Sequence, residues 1–231
     1  MNQLLLEVIV QTVADAVEAA RGGADRLEVV RNIAAGGLTP PLAIVRAIAA
    51  ETALPLRVMV RENAGYQTTA RELNALRAAA AEFAALGVDG LGLVLGFADP
   101  SRIHRADVMS VLASAPYVRA TFHRAFDCLE DSLTAIDALR HVPQIDRVLT
   151  SGGDGAPAAR CARLSVLAAR AGDRFGIIAG GGVTEELIEL IARQRCVHEV
   201  HVGRAAREGN DPDAPVSEAR VRRLRQLASM A

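Results

Sequence analysis

The sequence predicts an α/β fold, a (β/α)8 TIM barrel in a single domain spanning residues 1–231. Three observations carry this expectation. Short apolar runs alternate with helical patterns from end to end, eight such strand–helix pairs can be counted, and no linker or composition shift divides the chain. Short strands rich in Val, Ile and Leu belong to a parallel sheet buried on both faces. Eight units in this length suit closure into a barrel better than an open doubly wound sheet, which shows the same alternation.

The elements follow in order. Leu4–Val10 is an apolar run broken by Glu7, and Val13–Arg21 is a helical pattern that stops at Gly22-Gly23. Arg26–Val30 is the second strand, after which Pro40-Pro41 opens a helix to about Glu51. Proline suits a first turn because the N–H it lacks has no helical partner there. Leu56–Arg61 is the third strand, followed by the Ala-rich helix Ala70–Leu86 ending at Gly87. Gly90–Gly96 and helix Arg102–Ala113 form the fourth pair; Tyr117–Phe122 and helix Ser132–His141, with Ser132 as its cap, form the fifth. The last three pairs are Arg147–Thr150 with Ala158–Ala171, Phe175–Ala179 with Thr184–Arg193, and Glu199–Val202 with Ser217–Ser229.

Composition removes several function classes. Hydrophobic residues make up 51% and aromatics only 3%, with no Trp, so the core is aliphatic. A net charge of −1 offers no global field to nucleic acid or an anionic membrane, and Arg220–Arg225 reads as a solvated helix face. No window reaches the length of a membrane span, and the residues from Met1 to Glu7 lack the basic and apolar regions of a signal peptide. All 26 basic residues are Arg. Without lysine, Schiff-base and pyridoxal-phosphate chemistry is excluded. Cys128, Cys161 and Cys196 are odd in number and contain no Cys-x-x-Cys, which suits a reducing cytoplasm and argues against a disulfide framework or thiolate zinc site. Cys161 and Cys196 read as small core residues.

In a barrel, chemistry gathers at the carboxyl ends of the strands. Thr121-Phe122-His123-Arg124-Ala125-Phe126-Asp127 ends the fifth strand and places an imidazole, a guanidinium and a carboxylate within five residues. Other strand ends present Gln11, Arg31, Arg61 with Glu62, Ser151-Gly152-Gly153, Gly180-Gly181-Gly182 and Gly203-Arg204. Glu7, Glu28 and His201 lie within strands. Buried carboxylates need partners, and Arg61, Arg124 and His201 are the expected ones. A salt-bridge layer fixing barrel register and a ligand-binding site both account for the glutamates. The candidate catalytic set is Glu7, Glu28, Arg61, His123, Arg124, Asp127 and His201. Backbone amides of Ser151, Gly152, Gly153, Gly181 and Gly182, with Arg204, form a candidate anion site, although tight turns use the same glycines. His123, Cys128 and His201 are candidate copper or zinc ligands, without the spacing of a formed site.

The series Leu6-Glu7-Val8, Gly22-Gly23-Ala24-Asp25-Arg26-Leu27-Glu28, Gly36-Gly37-Leu38-Thr39-Pro40, Thr121 to Asp127, Leu149-Thr150-Ser151-Gly152-Gly153, Gly180-Gly181-Gly182-Val183 and Glu199-Val200-His201 resembles the CutC family, named for copper homeostasis. The resemblance is ordered and covers nearly the whole chain. It implies a TIM barrel, a cytoplasmic location, a homodimer or higher homo-oligomer, a possible copper ligand, and a polar cluster at the barrel mouth. The chain departs from the family pattern at Val29-Val30, where members often carry cysteine. It departs again at Arg61-Glu62-Asn63-Ala64-Gly65, where an Arg-Pro-Arg-Gly-Gly stretch is common. Two readings follow. One is a copper-homeostasis protein that binds copper. The other is an enzyme acting on a small anionic or phosphorylated metabolite, with His123 as acid or base oriented by Asp127, and Arg61 and Arg124 clamping the anion. A purely structural or interaction protein is a third reading.

Overall fold

The computed structural model describes residues 3–229; Met1, Asn2, Met230 and Ala231, which the sequence reading included in the domain, lie outside the described residues. The barrel is closed and parallel. Its strands are β1 (Leu5–Val10), β2 (Arg26–Val29), β3 (Leu56–Met59), β4 (Gly92–Leu95), β7 (Ala120–Phe122), β8 (Ile145–Thr150), β9 (Gly176–Ala179) and β10 (Glu199–Val202), in ring order β1-β10-β9-β8-β7-β4-β3-β2. The remaining pair, β5 (Ala98–Asp99) and β6 (Arg102–Ile103), forms a small antiparallel hairpin after β4.

Among the described residues eight α-helices surround the ring: α1 (Val13–Gly22), α2 (Leu42–Glu51), α3 (Ala70–Ala84), α4 (Arg105–Leu112), α5 (Ser132–Leu139), α6 (Pro157–Ala171), α7 (Glu185–Gln194) and α8 (Glu218–Ala228). Local chemistry starts them. Thr12, Thr184 and Ser217 each accept an N–H of the first turn, and Thr69 with Glu72 forms a reciprocal capping box. The cap of α5 is Asp131 rather than Ser132. Helix α4 begins at Arg105, not Arg102, because Asp99 takes the amides of Ser101 and Arg102 and the ring of His104, folding that stretch into the hairpin.

The period-2 alternation of strands divides the barrel into two environments. Leu6, Val8 and Val10 of β1, Leu27 and Val29 of β2, and Val200 and Val202 of β10 belong to the aliphatic core shared with the helices. Alternate residues carry charge inside the ring, joined by Asp146, which a register shift between β7 and β8 leaves unpaired in the strand register beside Arg147. Arg26 donates to Glu7 and Glu199; Arg147 Nε donates to Glu199 at 2.9 Å and its Nη1 to Asp146 at 2.7 Å; Arg57 Nη2 reaches the same Asp146 at 2.8 Å. Buried ions are tolerable here because each has an opposite charge within hydrogen-bond reach.

Cys161 of α6 and Cys196, just before β10, form a disulfide with their Cα atoms 5.9 Å apart. This corrects the expectation that both are ordinary thiols. The fold, not their spacing, places the end of α7 beside α6. Cys128 is free. The Arg220–Arg225 face is also less open than expected: Arg220 and Arg223 meet Glu185, and Arg225 meets Asp25. Among the described residues no helix is long and apolar enough to cross a membrane.

Candidate active site at the barrel mouth

The carboxyl ends of the strands enclose a cavity of about 430 Å³, within the ~300–1,000 Å³ usual for small-molecule sites. Glu28, Arg61, His123, Arg124, His201, Gly181, Gly182 and Arg204 line it. The structure therefore brings together much of the expected set from β2, β3, β7, β9 and β10.

Three buried groups, Glu7, Glu28 and His201, cluster here, and Glu28 and His201 reach the cavity lining. Strand register pairs Glu7 with both Arg26 and His201. Arg26 holds one carboxylate oxygen of Glu7, and His201 Nδ1 lies 2.7 Å from the other. Burial alone would raise the Glu7 pKa, but the Arg26 guanidinium and His201 together keep it well below the usual carboxylate range. An ionised Glu7 accepts a hydrogen bond from Nδ1–H of His201 and so turns Nε2 toward Glu28, whose Oε2 is 3.6 Å away. The other oxygen of Glu28, Oε1, is buried and meets no hydrogen-bond partner among the described residues. Burial pushes the Glu28 carboxyl up to about 7, helped by the negative Glu7 and opposed by His201, Arg26 and Arg61. For His201, burial is outweighed by Glu28 and Glu7, so its pKa is raised.

Of the expected partners of the glutamates, Arg61, Arg124 and His201, the structure pairs His201 with Glu7, and Arg26 takes the place of the two other arginines. Arg26 escaped the sequence reading because it opens a strand, yet it stands two residues before Glu28 and shares its inward face. That period-2 relation was the available signal. The guanidinium of Arg61 stacks 5.0 Å from the Tyr66 ring centroid and donates to the carbonyls of Gly36, Ala64 and Gly65. It ties together the loops after β2 and β3. Tyr66, also unforeseen, lies 5.6 Å from the His123 ring.

His123 is buried on the far side of the cavity. Its Nδ1 accepts the Ala125 amide at 3.1 Å, so a neutral ring carries its proton on Nε2, and Nε2 meets no acceptor among the described residues. Burial, followed by the Arg61 and Arg124 guanidinium groups, pushes its pKa down to about 3. Gly96 on the neighbouring strand end makes room: a Cβ there would lie 2.8 Å from His123 Nδ1. Asp127 does not orient His123, contrary to expectation. It accepts from Arg124 Nε at 2.9 Å, Thr150 Oγ1 at 2.6 Å and the Ser151 amide at 3.1 Å.

That last contact corrects half of the anticipated anion site. The Ser151 amide is held by Asp127, the Gly152 amide by Thr150 Oγ1 and the Gly153 amide by Ser151 Oγ. A loop whose amides are already satisfied, one of them by a carboxylate, has no attraction left for an anion. Gly181, Gly182 and Arg204 do line the cavity, with the exposed Arg124 beside them. Gly181 has φ +68°, and a Cβ there would lie 2.7 Å from the Arg124 guanidinium.

The donor set fits copper poorly. Cys128 Sγ donates to the Ala125 carbonyl and is absent from the cavity lining, so His123, Cys128 and His201 do not converge. Among the described residues, the group with metal-ligand proximity is Glu7, Glu28 and His201, whose ligand atoms lie within 4.8 Å of one another. Glu7 already has both oxygens engaged, and two carboxylates with one imidazole are not the soft sulfur donors that Cu(I) selects.

Fold and site thus define a (β/α)8 barrel protein with a polar, cavity-lining cluster at the carboxyl ends of its strands. The chain belongs to the CutC family, whose model matches residues 4–206. It is 32% identical over 202 residues to the human copper homeostasis protein cutC homolog, covering 87% of this chain and 73% of that protein. A family protein CutC from Agrobacterium fabrum is 30% identical and covers 98% of this chain and 94% of its own length. A solved CutC structure from Streptococcus agalactiae superposes with a TM-score of 0.77 at 24% identity, covering 86% of this chain and 97% of that one, and supports the fold.

Proposed function

We propose that this copper-homeostasis family member is an enzyme performing acid–base chemistry on a small anionic metabolite in the barrel-mouth cavity. The observation that carries the reading is Glu28, a buried cavity-wall carboxylate with one unpartnered oxygen and a pKa pushed up to about 7. A proton-transfer group is most effective when its pKa lies near the working pH. His201, held by Glu7, stands beside it as a proton partner. The guanidinium groups of Arg124 and Arg204 at the cavity wall favour an anion.

Titration calorimetry with inorganic phosphate, followed by a thermal-shift screen of phosphorylated and carboxylated metabolites, tests this reading. Binding that weakens at least fivefold in Arg204→Ala is the expected result. If no anion binds while Cu(I), titrated anaerobically, binds at micromolar affinity or tighter, the rival copper-binding function takes its place. The proposal also carries two expectations from the family resemblance, a cytoplasmic location and a homo-oligomer; light scattering of the purified protein reads the second.

A further inference from the structure

We infer that the cavity receives an anionic α-hydroxy carbonyl compound, and that His123 donates its Nε2–H to the carbonyl oxygen while Glu28 removes a proton from the adjacent carbon. The inference rests on the enzyme reading above and specifies its substrate class and reaction.

Two residues that line the cavity, Glu28 and His123, each carry a buried polar atom without a partner among the described residues, and the two atoms are chemically complementary. Glu28 Oε1 is an acceptor, and His123 Nε2 carries a proton because Nδ1 is already accepting from Ala125. Leaving either group buried and unpartnered is costly, because neither water nor protein replaces the lost hydrogen bond. Such a pair is therefore expected to find its partners in a ligand. The two residues belong to β2 and the end of β7, three strands apart around the ring, and both line the one cavity. A donor and a base flanking one molecule match a carbonyl oxygen next to an acidic C–H.

The charges facing His123 keep it a donor rather than a base. Arg61 comes from the end of β3 and Arg124 from its own loop, with Tyr66 against the ring. A neutral imidazole hydrogen bond strengthens as negative charge develops on the oxygen, the requirement for stabilising an enolate. Facing Glu28 are His201, Glu7, Arg26 and Arg61.

The step balances without a cofactor. The C–H bond next to the carbonyl breaks and its proton goes to Glu28. The bonding pair becomes the new C=C bond, and the carbonyl π pair moves to the oxygen held by His123. Return of the proton to the former carbonyl carbon, with transfer of the hydroxyl proton between the two oxygens, moves the carbonyl one carbon along. One carbon is oxidised and its neighbour reduced, so no outside oxidant is needed. The absence of lysine leaves this route without a Schiff-base competitor.

The test compares two probes by calorimetry on the purified full chain. Phosphoglycolohydroxamate carries an enediolate-shaped head and a phosphate; methyl phosphate carries the phosphate alone. The expected result is at least tenfold tighter binding of the hydroxamate, a preference that falls below twofold in His123→Ala while methyl phosphate binding is unchanged. His123→Gln, which keeps an N–H donor, restores part of the preference and controls for a folding defect. Equal binding of the two probes by wild type overturns the carbonyl inference and leaves the anion site standing. Failure of both probes to bind overturns the enzyme reading as well.

Discussion

Glu28 and Arg26 show how far a single residue's surroundings decide its behaviour. The folded Glu28 carboxyl titrates near 7 against an ordinary 4.5, so the folded state holds a proton that the unfolded chain has released. Its contribution to stability is complete below about pH 4.5 and is lost as pH rises through about 7. His201, also raised, has the same sign; Glu7, lowered, has the opposite sign and contributes throughout the neutral range. Glu28→Gln mimics the protonated form. Thermal melts should show it more stable than wild type by about 1–3 kcal/mol at pH 8 and nearly equal at pH 4.5; an equal gain at both would contradict the buried-carboxylate account. Arg26→Met strips Glu7 and Glu199 of their shared cation. Breaking a buried pair in this way costs about 3–5 kcal/mol, and a urea titration should find most of that loss restored by adding Glu7→Gln.

At the scale of elements, the loops after β7, β8 and β9 act as one stitched unit. Asp127 from the first holds Thr150 and Ser151 of the second, while Arg160 of α6 donates to the carbonyls of Ser151, Gly180, Gly181 and Gly182. Asp127→Ala orphans the Ser151 amide, with an expected loss of about 1–3 kcal/mol. Amide hydrogen exchange should localise the loosening to Thr150–Gly153, leaving β1 and β2 protected. The Thr121 to Asp127 motif was legible in the sequence as a chemistry-bearing strand end. Its division of labour was not. His123 faces the cavity and Asp127 the neighbouring loop, a difference of direction that linear spacing does not carry.

Over the whole molecule, the disulfide joins the outer helical ring. It joins residues 35 positions apart and closes a segment that includes β9, the glycine loop and α7. Loop closure of this length is worth about 3–4 kcal/mol in the chain-entropy picture. Cys161→Ala paired with Cys196→Ala should lower Tm by several degrees, and dithiothreitol should do the same to wild type; a wild-type melt insensitive to reductant would show the bond makes no such contribution. Closure of the ring also explains the charged interior. Arg57, Asp146, Arg147, Glu199, Arg26 and Glu7 come from five strands and meet only once β1 pairs with β10.

Alternation of strand and helix, the outward apolar face of each strand, and the absence of lysine are properties of local order and composition, so the sequence by itself determined the barrel and excluded Schiff-base chemistry. Which charge pairs with which was decided only by tertiary structure. A parallel barrel brings together residues as distant as Glu7 and His201, 194 positions apart, and their protonation depends on burial and neighbours that exist only after the ring has closed.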